Sequence, residues 1–258
     1  MFARRVAESW ESFGRSDPYF GVLNVPRFRE AGREGPARAA FFATGEEHVT
    51  GLFAAIHESL CPDFAPARAL DFGCGVGRVI LPLARRVPLV TGVDISRGML
   101  DEAQRNCARA GLGNVTLLEP HELDSTRTTF DLIHSYIVFQ HMPQRMGMQT
   151  VRKLLTHLEE NGIGALHFVY GSRLPRWRTY IHWMRKRVPG VHPALNVLQR
   201  RPLRSPLMQM NAYDIGAILR VLQECGCHRV AIRFSDHGGW LGVMLLFQRR
   251  TQLDVRVT

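Results

Sequence analysis

The stretch Leu70-Asp71-Phe72-Gly73-Cys74-Gly75-Val76-Gly77-Arg78 sets glycines at alternate positions directly after a short apolar run. Glycine adopts left-handed backbone conformations freely and carries no Cβ, so such a turn lets main-chain N–H groups come close to a ligand. A second apolar run, Leu89–Asp94, ends in a carboxylate 17 positions beyond Gly77. A carboxylate placed there can accept hydrogen bonds from both hydroxyls of a ribose. Histidines stand near the ends of later apolar runs, at His141, His167 and His237. An imidazole titrating near ~6.5 suits the removal of a hydroxyl proton near neutrality.

Helices and strands in alternation must carry these groups. Ala3–Phe13 has helical spacing and is broken at Ser16-Asp17-Pro18; Arg29–Arg38 reads as a loop. Glu46–Leu60 puts Val49, Leu52, Phe53, Ile56 and Leu60 on one helical face. From Ala67 onward, strands are expected at Ala69–Phe72, Leu89–Asp94, Val115–Leu118, Phe130–Ser135 and Gly164–Tyr170. Helices are expected between them at Val76–Val87, from Ser96 as cap to Ala110, and at Met148–Leu158. The pattern resumes with a helix at Tyr213–Cys225 and strands at Arg229–Phe234 and Leu241–Gln248. The connection Ser235–Trp240 is too short for a helical crossover, so the last two strands form an antiparallel hairpin, with strand six parallel to the first five. The whole is an α/β chain with a doubly wound, mostly parallel sheet.

Composition narrows the function classes. The chain has 258 residues, 45% hydrophobic and 22% charged, which is ordinary globular composition. No apolar run approaches the ~20 residues of a membrane span, and the N-terminus lacks the apolar stretch of a secretory signal. Five scattered cysteines (Cys61, Cys74, Cys107, Cys225 and Cys227) give neither a disulfide framework nor a zinc spacing. The expectation is a cytoplasmic protein without structural metal. The net charge is +10, yet Gly171–Pro206 alone holds nine basic residues and no acidic one. Only Lys153 and Lys186 are lysines, a bias toward arginine that a GC-rich genome also produces. Within the basic segment, Trp177, Tyr180, Ile181, Met184 and Val188 have helical spacing, so Arg176–Val188 is expected to form an amphipathic helix.

The glycine turn is not the dinucleotide fingerprint, which requires glycine where Arg78 stands. Asp71-x-Gly73-x-Gly75-x-Gly77 instead resembles motif I of the class I S-adenosylmethionine-dependent methyltransferases. Val93-Asp94-Ile95-Ser96-x-x-Met99-Leu100-x-x-Ala103 resembles their second motif. Phe130–Ser135, followed by Val138-Phe139-Gln140-His141-Met142-Pro143, resembles their fourth. The resemblance covers Leu70–Tyr170 by motif and Tyr213–Arg249 by topology. It implies a Rossmann-like sheet of seven strands, the last antiparallel. It also implies an N-terminal helical lid over 1–66 and a methyltransferase domain over 67–250, with 171–210 inserted after strand five as a cap.

The resemblance further implies S-adenosylmethionine as cofactor, S-adenosylhomocysteine as its product, and no metal. It assigns cofactor contacts to Asp71, Gly73, Cys74, Gly75, Gly77, Asp94, Ile95, Met99, Ser135 and Tyr19, with Cys74 a small filler rather than a nucleophile. Glu119, His121 or Glu122 meets the adenine; Glu122 is taken with the set. Tyr136, Gln140, Tyr170, Trp177 and Tyr180 are the acceptor candidates, and His237 and His141 the candidate bases. Methyl transfer is an in-line displacement in which alignment dominates, and a base helps where the acceptor is a hydroxyl. The expected acceptor is a small-molecule, glycan- or lipid-linked hydroxyl, anionic or held at a membrane surface to suit the basic segment. The alternatives are a nucleic-acid methyltransferase using that segment, and a binding module that kept the fold without the chemistry. Against the first, the chain has no Asn-Pro-Pro-Tyr-like tetrad after strand four and no Pro-Cys for base methylation.

Overall fold

The computed structural model describes residues 2–32, 34–175, 177, 181, 184–185, 188, 191, 195, 198 and 208–250. Its helices are α1 (Phe2–Ser16), α2 (Pro18–Val22), α3 (Pro36–Ser59), α4 (Ile80–Ala84), α5 (Arg97–Arg109), α6 (Pro120–Asp124), α7 (Gln144–Thr156) and α8 (Ile215–Glu224). The strands are β1 (Arg68–Phe72), β2 (Leu89–Val93), β3 (Val115–Leu118), β4 (Phe130–Ser135), β5 (Leu158–Ser172), β6 (Cys227–Asp236) and β7 (Trp240–Arg249).

The strands lie in the order β3-β2-β1-β4-β5-β7-β6. The first five are parallel, and β7 runs antiparallel to both β5 and β6. This is the mostly parallel, seven-stranded Rossmann-like sheet expected from the alternation. Because β7 reverses, β6 points the same way as β5, and the turn joining them emerges at the carboxyl edge of β1 and β4. Ligands of open α/β sheets bind at that edge.

Both faces are covered, as near-continuous apolar strands require. Val49, Ile56, Ile80 and Leu100 from α3, α4 and α5 form one core against the sheet. Val151, Leu155, Ile218 and Leu222 from α7 and α8 form the other. A third cluster joins Phe13, Tyr19, Phe20, Phe28 and Phe41 to Val76 and Met99, tying the N-terminal helices to the glycine turn and α5.

Several boundaries differ from the sequence reading. The helix expected at Val76–Val87 is only Ile80–Ala84, since Gly73, Gly75 and Gly77 all take positive φ (78°, 53° and 85°) and the chain turns through Val79. The expected helical end at Leu158 is already strand: α7 stops at Thr156, and Asn161, at φ 64°, lets β5 continue past a register shift. The Arg29–Arg38 loop is cut short, because a 3-10 turn spans Pro26–Glu30 and α3 begins at Pro36. Ser96 caps α5 as read, its hydroxyl accepting from the Met99 N–H at 3.2 Å. Most of the helix expected at Arg176–Val188 lies outside the described residues.

Candidate cofactor and acceptor site

The carboxyl edge of the sheet opens into a cavity of about 350 Å³. Its floor is the glycine turn, its near wall the ends of β2 and β4, and its roof Val6, Trp10, Gly21 and Val22 from the N-terminal helices. The glycines leave no spare room. A Cβ on Gly73 would lie 2.3 Å from Val138 Cγ2, and one on Gly75 would lie 2.5 Å from Val22 Cγ2. Gly77 faces the other way, toward Leu81 and Ala103.

Asp94 projects from the end of β2 into this cavity. One carboxylate oxygen accepts from the Gly75 N–H and the other from the Ser96 N–H, each at 2.9 Å. Each oxygen has two lone pairs, so two acceptor positions remain for the two hydroxyls of a ribose. Burial pushes this carboxyl up to about 6, against the lowering effect of those same N–H groups. With the glycine cradle, these features fit an adenosyl cofactor of the S-adenosylmethionine class.

Asp71, the first residue of the turn, does not extend an unengaged carboxylate. Its Oδ1 lies 2.7 Å from His134 Nδ1 on the adjacent β4, and His134 Nε2 lies 2.8 Å from His48 Nε2 on α3. The carboxylate only accepts, so His134 carries its proton on Nδ1, and its Nε2 accepts from His48. Burial, with His134 and Arg78 nearby, holds His48 neutral, its titration pushed down to about 2.

After β4 the chain bends through Ile137 at φ 61°. A β-branched residue in the left-handed region is strained by about 1–3 kcal/mol, and such strain collects at ligand sites. The bend turns Tyr136 toward a group of rings, with His48 at 4.1 Å, His167 at 5.0 Å and His237 at 5.8 Å between centroids. Four residues beyond Ile137, also on the cavity wall, His141 Nδ1 donates to the Gln209 carbonyl at 2.7 Å, and its Nε2 is the acceptor, with the Gln140 amide nitrogen 3.5 Å away. Its ring meets Trp10 edge-on at 4.9 Å.

Of the residues expected from sequence, the cavity brings together Asp71, Gly73, Cys74, Gly75, Asp94, Ile95, Met99, Tyr136 and His141. Others lie elsewhere. Tyr19 is buried behind α5, donating to Glu102 at 2.6 Å. Ser135 donates to the Phe72 carbonyl at 2.8 Å, joining β4 to β1. Glu122 closes a capping box at the start of α6, where Pro120 rather than an acidic residue lines the cavity. Gln140 is buried, its carbonyl accepting from Asn211. Tyr170 is half-exposed against Phe234, and Trp177 is exposed. His237 sits in the β6–β7 turn behind Tyr136, and Tyr180 lies outside the described residues. Arg78, which the sequence reading left out of the site, is buried along the cavity, close enough to His48 to act on its charge. One signal in the sequence pointed there: Gly45 stands inside α3, where a Cβ would lie 2.0 Å from the Arg78 carbonyl.

Residues 69–162 match the model of a methyltransferase domain family. The chain is 40% identical over 62 residues to a 23S rRNA (uracil(1939)-C(5))-methyltransferase of Stenotrophomonas maltophilia, covering 24% of this chain and 14% of that protein. It is 41% identical over 54 residues to the aklanonic acid methyltransferase of a Streptomyces species, covering 20% of this chain and 24% of that one. The chain thus spans less than a quarter of the length of these curated relatives. In fold it is similar to the magnesium protoporphyrin IX methyltransferase of Synechocystis solved with bound S-adenosylhomocysteine, with a TM-score of 0.57 and 19% identity over 90% of this chain and 97% of that one.

Proposed function

We propose that this chain, which belongs to the class I S-adenosylmethionine-dependent methyltransferases by its sheet and its residues 69–162, methylates a hydroxyl of a small-molecule, glycan- or lipid-linked acceptor. The observation that carries the cofactor part is Asp94, whose two oxygens each keep an acceptor position open to the cavity beside the Gly73–Gly75 turn. When bound, S-adenosylmethionine supplies a methyl on a sulfonium, already activated for displacement. The protein's share is then to hold, align and exclude water.

In this reading Asp94 binds the ribose, and the backbone of Gly73 and Gly75 receives the methionine portion. Ile95, Met99 and Pro120 bound the adenine side. The N-terminal 66 residues act as the lid: Trp10 and Val22 close the cavity from above. Most of the segment 171–210, expected as a cap over the acceptor, lies outside the described residues. His141, on the cavity wall with Nε2 as acceptor, takes the hydroxyl proton; His237 is the alternative base, one shell further out. The five free cysteines suit a reducing, cytoplasmic compartment. Among the described residues no helix is long and apolar enough to cross a membrane.

The experiment is calorimetric titration with S-adenosylhomocysteine and with NAD, followed by a metabolite screen using methyl-labelled cofactor. Binding of the first ligand alone, with label appearing in a small hydroxylated or lipid-linked product, is the expected result. Binding of NAD, or of neither, overturns the reading. The likeness to rRNA methyltransferases and the basic segment favour a second reading, nucleic-acid methylation. Label transferred to RNA in the same screen would select it.

A further inference from the structure

We infer that Arg78 and the ring group around Tyr136 form an acceptor subsite that takes a carboxylate. This rests on the methyl-transfer reading above and names the class of acceptor. Its basis is a buried positive charge that, among the described residues, makes no direct ion pair and feels the Asp71 carboxylate only from further off. Arg78 is 6% exposed and lines the cavity. Its Nη1 donates to the Thr44 carbonyl at 3.2 Å, while its Nε has no hydrogen-bond partner. The carboxylate that acts on it, Asp71, is engaged by His134, and among the described residues no ion pair joins Arg78 to an acid. A buried guanidinium is strongly disfavoured unless it is paired, so the complementary charge is one that a ligand brings.

The surroundings fit a planar anion. The Arg78 Cζ lies 5.9 Å from the centre of the Tyr136 ring. Around that ring, His167 Nδ1 and His237 Nε2 are buried and also without partners. The other nitrogen of His167 meets Ser235 Oγ at 2.8 Å. Burial holds His167 neutral, down to about 3, and lowers His237 as well, so these rings add uncharged hydrogen-bonding nitrogens rather than further charge. A guanidinium fork with neutral N–H groups nearby is the donor pattern of carboxylate recognition. Position along the sheet separates this group from the cofactor. Asp94 directly follows β2, whereas Tyr136 directly follows β4 and His167 and His237 belong to β5 and the β6–β7 turn, on the other side of β1.

A carboxylate here has two sources, an acceptor or the amino-acid end of the cofactor, and the test separates them. The full chain is titrated with S-adenosylhomocysteine and with its decarboxylated analogue. The S-adenosylhomocysteine complex is then titrated with benzoate and with benzamide. All four titrations are repeated with Arg78→Lys, Arg78→Gln and, as a variant in a partly exposed turn, His237→Ala. Benzoate is expected to bind the loaded parent and benzamide not. Arg78→Gln should weaken benzoate about tenfold or more, as for a lost hydrogen bond to a charged group, with Arg78→Lys between. The preference for S-adenosylhomocysteine over its analogue should stay at the parent value, and His237→Ala should weaken benzoate severalfold with its thermal midpoint unchanged. If benzoate fails to bind the loaded parent, or binds Arg78→Gln and His237→Ala as well as the parent, the inference is overturned. Collapse of the cofactor preference in Arg78→Gln overturns it too, by giving Arg78 to the cofactor's own carboxylate. Failure of the parent to bind S-adenosylhomocysteine is a different result: it removes the methyltransferase reading itself.

Discussion

Glu11 of the first helix and Ser96 at the start of α5 are joined across the cavity rim. The Ser96 hydroxyl donates to Glu11 Oε2 at 2.9 Å, and the Gly98 N–H donates to the same oxygen at 3.1 Å. A carboxylate over the first turn of a helix is favoured by the unpaired N–H groups there. Close backbone packing makes this possible, since a Cβ on Gly14 would lie 2.3 Å from Ser96 Oγ. The N-terminal cover is thus fastened beside Asp94.

Burial raises the Glu11 carboxyl, but Arg15 and the donors at Gly98 and Ser96 outweigh it, so the folded group sits below its ordinary 4.5. Its contribution to stability is therefore present above that value and is lost as pH falls through the lower folded one. Glu11→Gln should flatten this part of the acid dependence of the thermal midpoint. It should also weaken S-adenosylhomocysteine binding severalfold by loosening the cover. Calorimetry and thermal melts between roughly pH 3 and 7 check both.

Asp94 gives the opposite sign. Its folded titration, about 6, lies above the ordinary 3.8, so the folded chain holds this proton more tightly, and stability from this group falls as pH rises between the two values. Ribose hydroxyls need the ionised form as acceptor. Cofactor affinity in the parent should therefore drop as pH falls below about 6. Asp94→Ala should cost roughly 2–4 kcal/mol of binding, from two hydrogen bonds to a charged group. It should also lose the pH dependence. An unchanged dissociation constant in the folded variant would remove Asp94 from the site.

The glycines of the turn should separate by direction. Alanine at Gly73 or Gly77 meets a left-handed backbone and is expected to destabilise the fold by about 1–3 kcal/mol at either position. Gly73→Ala in addition drives a methyl into Val138 on the cavity wall, and should cut cofactor affinity at least tenfold. Gly77→Ala finds nothing nearer than Leu81 Cδ1 at 3.3 Å, and its affinity should stay within a few-fold. Denaturant melts and calorimetry report the two quantities independently.

For the base, His141→Ala and His141→Asn should lower turnover by ~100-fold with little change in cofactor affinity. The corresponding His237 changes should act mainly on acceptor binding. Turnover within a few-fold of the parent in all four would leave catalysis to alignment alone.

Strands were the most legible part of the chain. Val115–Leu118 and Phe130–Ser135 have the observed boundaries, the first because a short apolar run between Gly113-Asn114 and Glu119-Pro120 admits few alternatives. The segment after Gly77 was misread because helical spacing says nothing of three left-handed glycines at alternate positions, which delay the helix to Ile80. The cofactor side was readable since Gly73, Gly75 and Asp94 are near in sequence as well as in space. Arg78, His48 and His134 were not, because their meaning depends on α3 crossing the glycine turn. Only Gly45, a helix-interior glycine costing about 1 kcal/mol against alanine, hinted at that approach.

The reversed direction of β7 also has a consequence for biosynthesis. Beneath the N-terminal helices, the cofactor half of the site is built mainly from the ends of β1 and β2, the start of α5 and Pro120, all within Arg68–Pro120. In the proposed reading the acceptor half draws on His237, whose turn is placed against the sheet as β7 pairs with β5, from Trp240 against Ser172 to Gln248 against Ile163. These contacts join the middle of the chain to its end, the slow kind of pairing to form. A nascent chain emerging from the ribosome can therefore complete its cofactor half long before its acceptor half exists. Adenosyl ligands would then be able to engage, and stabilise, a chain not yet able to transfer anything.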